Sequence, residues 1–268
     1  MALVLPLFLL AFPGKASGAG SDELYRTQTI VTGQREDTRA GGFATALEAV
    51  LVKVSGDPRL IGDPRVEAMA REAGSSVEAF RYRDRMEGIP VHDELGTRDR
   101  PYDLFVSFDP DRIDAMLRSL GREQWPVPRP RVAVFLGVEN GPTRYMLASD
   151  GKRGRDQREA LAAAAEGLGL PLAVPSEAAL AKAGLGLEDV AAADAASLET
   201  AARAVDGDVV LAGSLVWSDQ ALGWVADWRL ASSGRTFGWR ISGVSFDDAF
   251  RNGMRGAAQV LSRHGEPR

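Results

Sequence analysis

The sequence predicts an α+β / α/β protein of two small domains, each an open mixed sheet with helices packed on it. Three observations carry this expectation. Apolar residues recur at helical spacing in some segments and at strand spacing in others, interleaved along the whole chain. The run Trp125-Pro126-Val127-Pro128-Arg129-Pro130 interrupts that pattern once, near the middle. Alternating prolines fix φ and remove backbone donors, so residues 125–130 read as an extended, polyproline-like linker between residues 20–124 and 131–264. Finally, three strand-like runs with short connections precede one amphipathic run, which predicts that the second domain ends in an antiparallel three-strand meander plus a C-terminal helix.

In the first half, Leu24 to Val31 reads as a strand. Phe43, Leu47, Val50, Leu51 and Val54 then fall at helical spacing over Gly41 to Val54, and Gly56 stands past the end as a stop. Asp63 caps a second short helix that Pro64 opens and that runs to Ala73. Phe80 to Glu87 and Tyr102 to Phe108 are strand-like. Asp109-Pro110 opens a helix whose Ile113, Met116, Leu117 and Leu120 share one face. The order is β-α-α-β-β-α, an α+β domain.

In the second half, Arg131 to Val138 is apolar enough for the middle of a sheet. Asn140-Gly141-Pro142 turns the chain, and Tyr145 to Leu147 pairs back. Arg155 to Glu166 is an Ala-rich helix, Leu170 to Val174 a short strand, and Leu198 to Val205 another helix. The meander follows in Asp208 to Trp217, Gly223 to Leu230 and Arg235 to Val244. Phe246, Phe250, Met254, Ala257 and Leu261 mark the closing amphipathic helix.

The first residues bear on location. The apolar run Ala2 to Phe12, then Pro13-Gly14 and the small residues Ala16-Ser17-Gly18-Ala19, has the order of a secretory signal peptide over residues 1–19. The run is about half of the roughly 20 residues a spanning helix needs, so no stable membrane span is expected once the leader is removed. No Lys or Arg precedes it, a departure from the usual leader. There is no cysteine, which excludes disulfides, thiolate chemistry and an acylated lipoprotein cysteine. A formal charge of −5 argues against nucleic acid as a partner, since polyanion binding starts from a basic surface. Hydrophobic content of 45% and charged content of 26% describe a globular chain rather than a disordered tail.

Signatures of catalysis are missing. There is no His-Glu-x-x-His, no Gly-x-Ser-x-Gly elbow, no Walker loop and no complete dinucleotide fingerprint. Only two histidines exist, His92 on a loop-like stretch and His264 near the C-terminal end. No catalytic residue, metal ligand or cofactor is therefore assigned, and the protein reads as a non-enzyme. One cluster stands out as a possible partner or anion contact: Arg81, Arg83 and Arg85 share one face of a strand, opposite Phe80 and Tyr82. The bland alternative is a solvated face balanced by Asp84, Glu87, Asp93 and Glu94. Four of the five tryptophans lie in the meander. There Trp224, Ala226, Trp228 and Leu230 segregate from Val225, Asp227 and Arg229, so they read as core under the closing helix rather than as a binding surface. Asp57-Pro58-Arg59 and Asp63-Pro64-Arg65 read as turn and helix-start chemistry.

With the leader, the stretch Ala46-Leu47-Glu48-Ala49-Val50-Leu51-Val52-Lys53-Val54-Ser55-Gly56-Asp57-Pro58, the unit around Phe108-Asp109-Pro110, and Trp125 before Pro-Arg-Pro-Arg, the chain resembles a bacterial family catalogued as domain of unknown function 2066. That resemblance implies an exported, periplasmic protein of Gram-negative bacteria and supplies no catalytic residue. More remotely, Val205-Asp206-Gly207-Asp208-Val209-Val210-Leu211-Ala212-Gly213-Ser214, followed by the strand Trp224 to Leu230, the turn Ser232-Ser233-Gly234 and the last helix, is similar in order to the N-terminal domain of TolB and to periplasmic activators of penicillin-binding proteins. This implies docking on an envelope protein partner, through the C-terminal domain. The alternative is a periplasmic small-ligand or glycan-binding protein using the groove beside the prolines.

Overall fold

A computed structural model of the chain describes residues 22–89, 99–192 and 194–267. The leader and His92, with Asp93 and Glu94, lie outside the described residues. In the first half, strands β1 (Arg26–Thr32), β2 (Val77–Asp84) and β3 (Pro101–Phe108) form an antiparallel sheet in the order β1-β3-β2. Helix α1 (Glu36–Ser55) lies across it. Its Leu47, Val50, Leu51 and Val54 are fully buried, as are Leu104, Val106 and Phe108 on alternate positions of β3. Gly42 lets the helix approach closely, because a Cβ there would stand 2.6 Å from both Leu104 and Val31. The helix begins five residues before the expected Gly41, since its first turn is polar and leaves no apolar mark. It stops where foreseen: Gly56 takes φ +74°, and its N–H closes on the Val52 carbonyl at 2.8 Å. Helices α2 (Pro64–Ala70) and α3 (Pro110–Ser119) both start with proline behind an aspartate, Asp63 and Asp109, whose side chains accept backbone N–H groups.

The second half builds a six-stranded sheet from β4 (Val132–Asn140), β5 (Thr143–Met146), β6 (Leu172–Ala173), β7 (Val209–Ser218), β8 (Gly223–Ser232) and β9 (Arg235–Val244). The order is β5-β4-β7-β8-β9, with β6 also beside β4. Strand β4 runs parallel to β7 inside the sheet, and β7, β8 and β9 form the antiparallel meander. Helices α4 (Arg155–Glu166) and α8 (Phe246–Leu261) keep the boundaries expected for them and cover one face. Trp224, Trp228 and Trp239 are buried against α8, whose Phe250, Met254 and Ala257 have no exposure. Only Trp217, at 39% exposure, lies outside that core.

The opposite face departs from the purely polar surface the alternation suggested. Three short helices, α5 (Glu177–Ala183), α6 (Leu187–Ala192) and α7 (Ala195–Arg203), cover it with Leu180, Val190 and Leu198, which pack on Phe135, Val210, Ala212 and Ala231. Polar exposure on that face survives chiefly along β9, at Thr236, Arg240 and Ser242. Each half thus has its own sheet, yet one continuous apolar cluster includes side chains of both. The proline segment is packed rather than a free spacer. The Trp125 N–H donates to the Val54 carbonyl at 2.9 Å, the Val127–Pro128 peptide is cis, and Arg129 is only 5% exposed.

Candidate functional site

The arginine row sits on the edge strand β2 of the small sheet. Alternation turns Phe80 and Tyr82 toward α1, where Phe43, Phe80, Tyr82 and Tyr102 form a chain of edge-to-face rings spaced 5.3 to 5.9 Å apart. Arg81, Arg83 and Arg85 take the opposite face, which no helix among the described residues covers. The paired residues complete that face: Phe105 stands beside Arg81 and Gln28, and Asp103 beside Arg83 and Ile30.

The three guanidinium groups have different fates. Arg83 donates to Asp103 Oδ2 through Nε at 3.0 Å and Nη2 at 2.6 Å, and Arg85 Nε lies 3.7 Å from Oδ1 of the same carboxylate. Asp103 is 3% exposed, so Arg83 of the edge strand and Arg85 just past its end neutralise one buried acid on the central strand. Arg81 instead lies over the Phe105 ring, 3.7 Å from its centroid, and pairs with no carboxylate among the described residues. Asp84, expected to balance the row, pairs with Arg100 at 3.1 Å. The row on β2 therefore sets three guanidinium groups against the one carboxylate of Asp103, on the face that also carries Ile30, which is 56% exposed. Asp103 and Phe105 were missed in the sequence. Their signal was available: both share the odd-numbered face of β3, where Asp103 is the one acid in the otherwise largely apolar stretch Tyr102 to Phe108.

A second feature is an open cleft of about 940 Å³ between the halves, lined among others by Arg118, Gln124, Trp125, Pro128, Arg263 and His264. Behind it lies Asp57, with no exposure, which accepts two bonds from the Arg59 guanidinium at 2.8 and 2.9 Å, one from the Arg59 backbone N–H at 3.1 Å and one from Arg122 at 2.6 Å. Burial alone would raise its pKa, but Arg59 and Arg122 hold it below the usual carboxylate range. Asp63, a half-buried cap, is lowered to about 2 mainly by its hydrogen bond from Arg65. Both Asp-Pro-Arg triplets thus serve architecture.

His264 meets Ser262 through Nδ1 at 2.7 Å, and Ser262 Oγ also donates to the Gly56 carbonyl at 3.0 Å. Burial lowers the His264 pKa, so the ring is neutral at pH 7. The pairing resembles a nucleophile and its base only superficially. The two residues are two apart on one turn, and the hydroxyl ties the end of α8 to the end of α1. Among the described residues, no group of three or more His, Asp or Glu side chains could hold a metal ion, and no helix is long and apolar enough to cross a membrane.

Fold and site together define a two-sheet α/β protein with an uncovered basic face on its smaller sheet. Residues 19–126, which include that sheet and end inside the proline segment, match the family model of a domain of unknown function, DUF8605. No curated protein and no solved structure matches the chain.

Proposed function

We propose that the protein is an exported, non-enzymatic component of the bacterial envelope that docks on an acidic surface of a protein partner through the open face of the small sheet. The observation that carries the docking is Arg81, an exposed guanidinium stacked on Phe105 beside exposed Ile30, with no carboxylate among the described residues to neutralise it. A partly apolar surface that carries an exposed Arg has the composition that protein interfaces favour. The larger sheet of the C-terminal half is a poorer docking face, because helices pack on both of its sides over most of its width. Export rests on the Ala2 to Phe12 run with its small-residue cleavage pattern, and the envelope setting on the resemblance to an exported family.

The test is a photo-crosslinking side chain at Ile30 in the full-length chain, expressed in a Gram-negative host. A periplasmic adduct with one protein is expected, lost on Arg81→Glu without a change in melting temperature. Arg81 suits this test better than Arg83, whose removal would leave the buried Asp103 with Arg85 alone, at 3.7 Å. Adducts that do not depend on Arg81, or a cytosolic product that keeps Met1, refute the proposal. The cleft beside Trp125 favours a second reading, a small-ligand site. A thermal-shift screen of wall fragments that finds a stabiliser abolished by Arg118→Ala supports it.

A further inference from the structure

We infer that the cleft between the halves binds a small molecule with two oxyanion groups, carboxylates or phosphates, held by one arginine from each half, Arg118 and Arg263. The inference rests on the reading of that cleft as a small-ligand site and supplies the chemistry of the ligand. Arg118, Arg122 and Arg263 line the cleft, with Glu123 as the one acid among the lining residues, in a chain whose formal charge is −5. A basic concavity on an acidic protein concentrates anions. Arg122 is already committed: its Nε donates to buried Asp57 at 2.6 Å and its Nη1 to the Gly121 carbonyl at 3.0 Å. Arg118, in the last turn of α3, and Arg263, just past α8, are both exposed and pair with no carboxylate among the described residues.

The backbone at Arg263 is an independent sign. Its φ is +64°, the left-handed conformation that glycine adopts without steric cost. The other helices that reach this cleft, α1 and α3, are followed by glycine in that conformation, Gly56 at +74° and Gly121 at +70°. Behind α8 the Arg263 N–H donates to the Val260 carbonyl at 3.0 Å and the His264 N–H to the Gln259 carbonyl at 2.8 Å. Glycine would make the same two bonds, so an arginine there bears a conformational cost and places a guanidinium on the cleft wall. Its planar fork matches carboxylate and phosphate oxygens two at a time. Trp125, Pro126, Pro128 and Leu261 offer apolar surface to the rest of the molecule, and about 940 Å³ is room for a small organic ligand.

Isothermal titration of the full chain at constant ionic strength tests this with isophthalate (two carboxylates), pyrophosphate (two phosphates) and benzoate (one carboxylate). A two-headed anion is expected to bind about tenfold or more tighter than benzoate, and the better of the two identifies the oxyanion. Arg118→Gln and Arg263→Gln should each bring it down to the level of benzoate. Arg263→Gly separates binding from folding: the empty protein should melt at least as high as the parent, because the left-handed backbone is relieved, yet lose the anion. Benzoate binding as tightly as the two-headed anions, or an anion indifferent to either arginine, would overturn the inference. A neutral wall fragment that binds through Arg118 while no anion does would also overturn it but leave the small-ligand reading standing. Binding by neither fragments nor anions would remove both.

Discussion

Replacing Arg129 by Met probes what holds the two halves together. The guanidinium is buried where α1, the proline segment and the turn after α4 meet. Its Nη2 donates to the carbonyls of Lys53 at 2.7 Å, Val54 at 3.2 Å and Trp125 at 3.4 Å, its Nη1 donates to Leu168, and its carbon lies 4.4 Å from the Trp125 ring centroid. No carboxylate pairs with it among the described residues, and burial pushes its pKa down to about 10, so it stays charged at neutral pH. Met keeps the apolar stem but removes the fork. The Val54 carbonyl retains the Trp125 N–H, whereas the carbonyls of Lys53 and Leu168 lose their guanidinium donor. Orphaning a buried carbonyl costs about 1–3 kcal/mol. Relief from burying an unpaired cation offsets part of that. We expect a net loss of about 2 kcal/mol by urea unfolding, some thirtyfold in the folding equilibrium. Arg129→Lys should lose at least as much, because an ammonium keeps the burial cost and reaches fewer of the carbonyls. Native-state hydrogen exchange should show the last turn of α1 opening at lower free energy than α8 in either variant. An Arg129→Met protein as stable as the parent would refute the clamp.

Two further predictions concern packing and pH. Gly213 on β7 lies under the Trp228 ring, where a Cβ would stand 2.6 Å from the indole and 2.9 Å from the Asp227 carbonyl. Gly213→Ala should therefore cost about 1–3 kcal/mol by overpacking, read as a lower urea midpoint at unchanged slope, and a neutral result would show that Trp228 has room to move. For pH, His264 is depressed below its ordinary 6.5 by burial, so between that value and its folded pKa the unfolded chain binds the extra proton. Stability should fall as pH drops through this window, and His264→Gln should flatten the slope. Asp57, held below 3.8 against burial by Arg59 and Arg122, adds stability that is present above 3.8 and lost as pH falls further, through its folded pKa. A melting temperature independent of pH from neutrality to acid would contradict both assignments.

Much of the architecture is legible in the residue order because it depends on near neighbours. The alternation of Trp224, Ala226, Trp228 and Leu230, the Asp-Pro helix starts, the glycine after α1 and the boundaries of α4 and α8 all express periods of two or 3.6 residues within a single segment. Helices α5 and α6 left little trace, since alanine-rich stretches such as Glu177–Ala183 lack the contrast between faces that periodicity needs. The arginine row was visible as a row. That Arg83 and Arg85 serve Asp103 while Arg81 remains available was not, because it depends on strand β3 entering between β1 and β2.

By itself, then, the sequence determined the local elements, the α/β class and the residues whose chemistry is unusual. Tertiary structure alone decided which charges are spent. The partners of Arg129 at Lys53 and Val54 lie 76 and 75 residues away along the chain, and those of Ser262 at Gly56 lie 206 away. Periodicity is a property of a segment, whereas the burial of a charge depends on which distant backbone the fold brings against it.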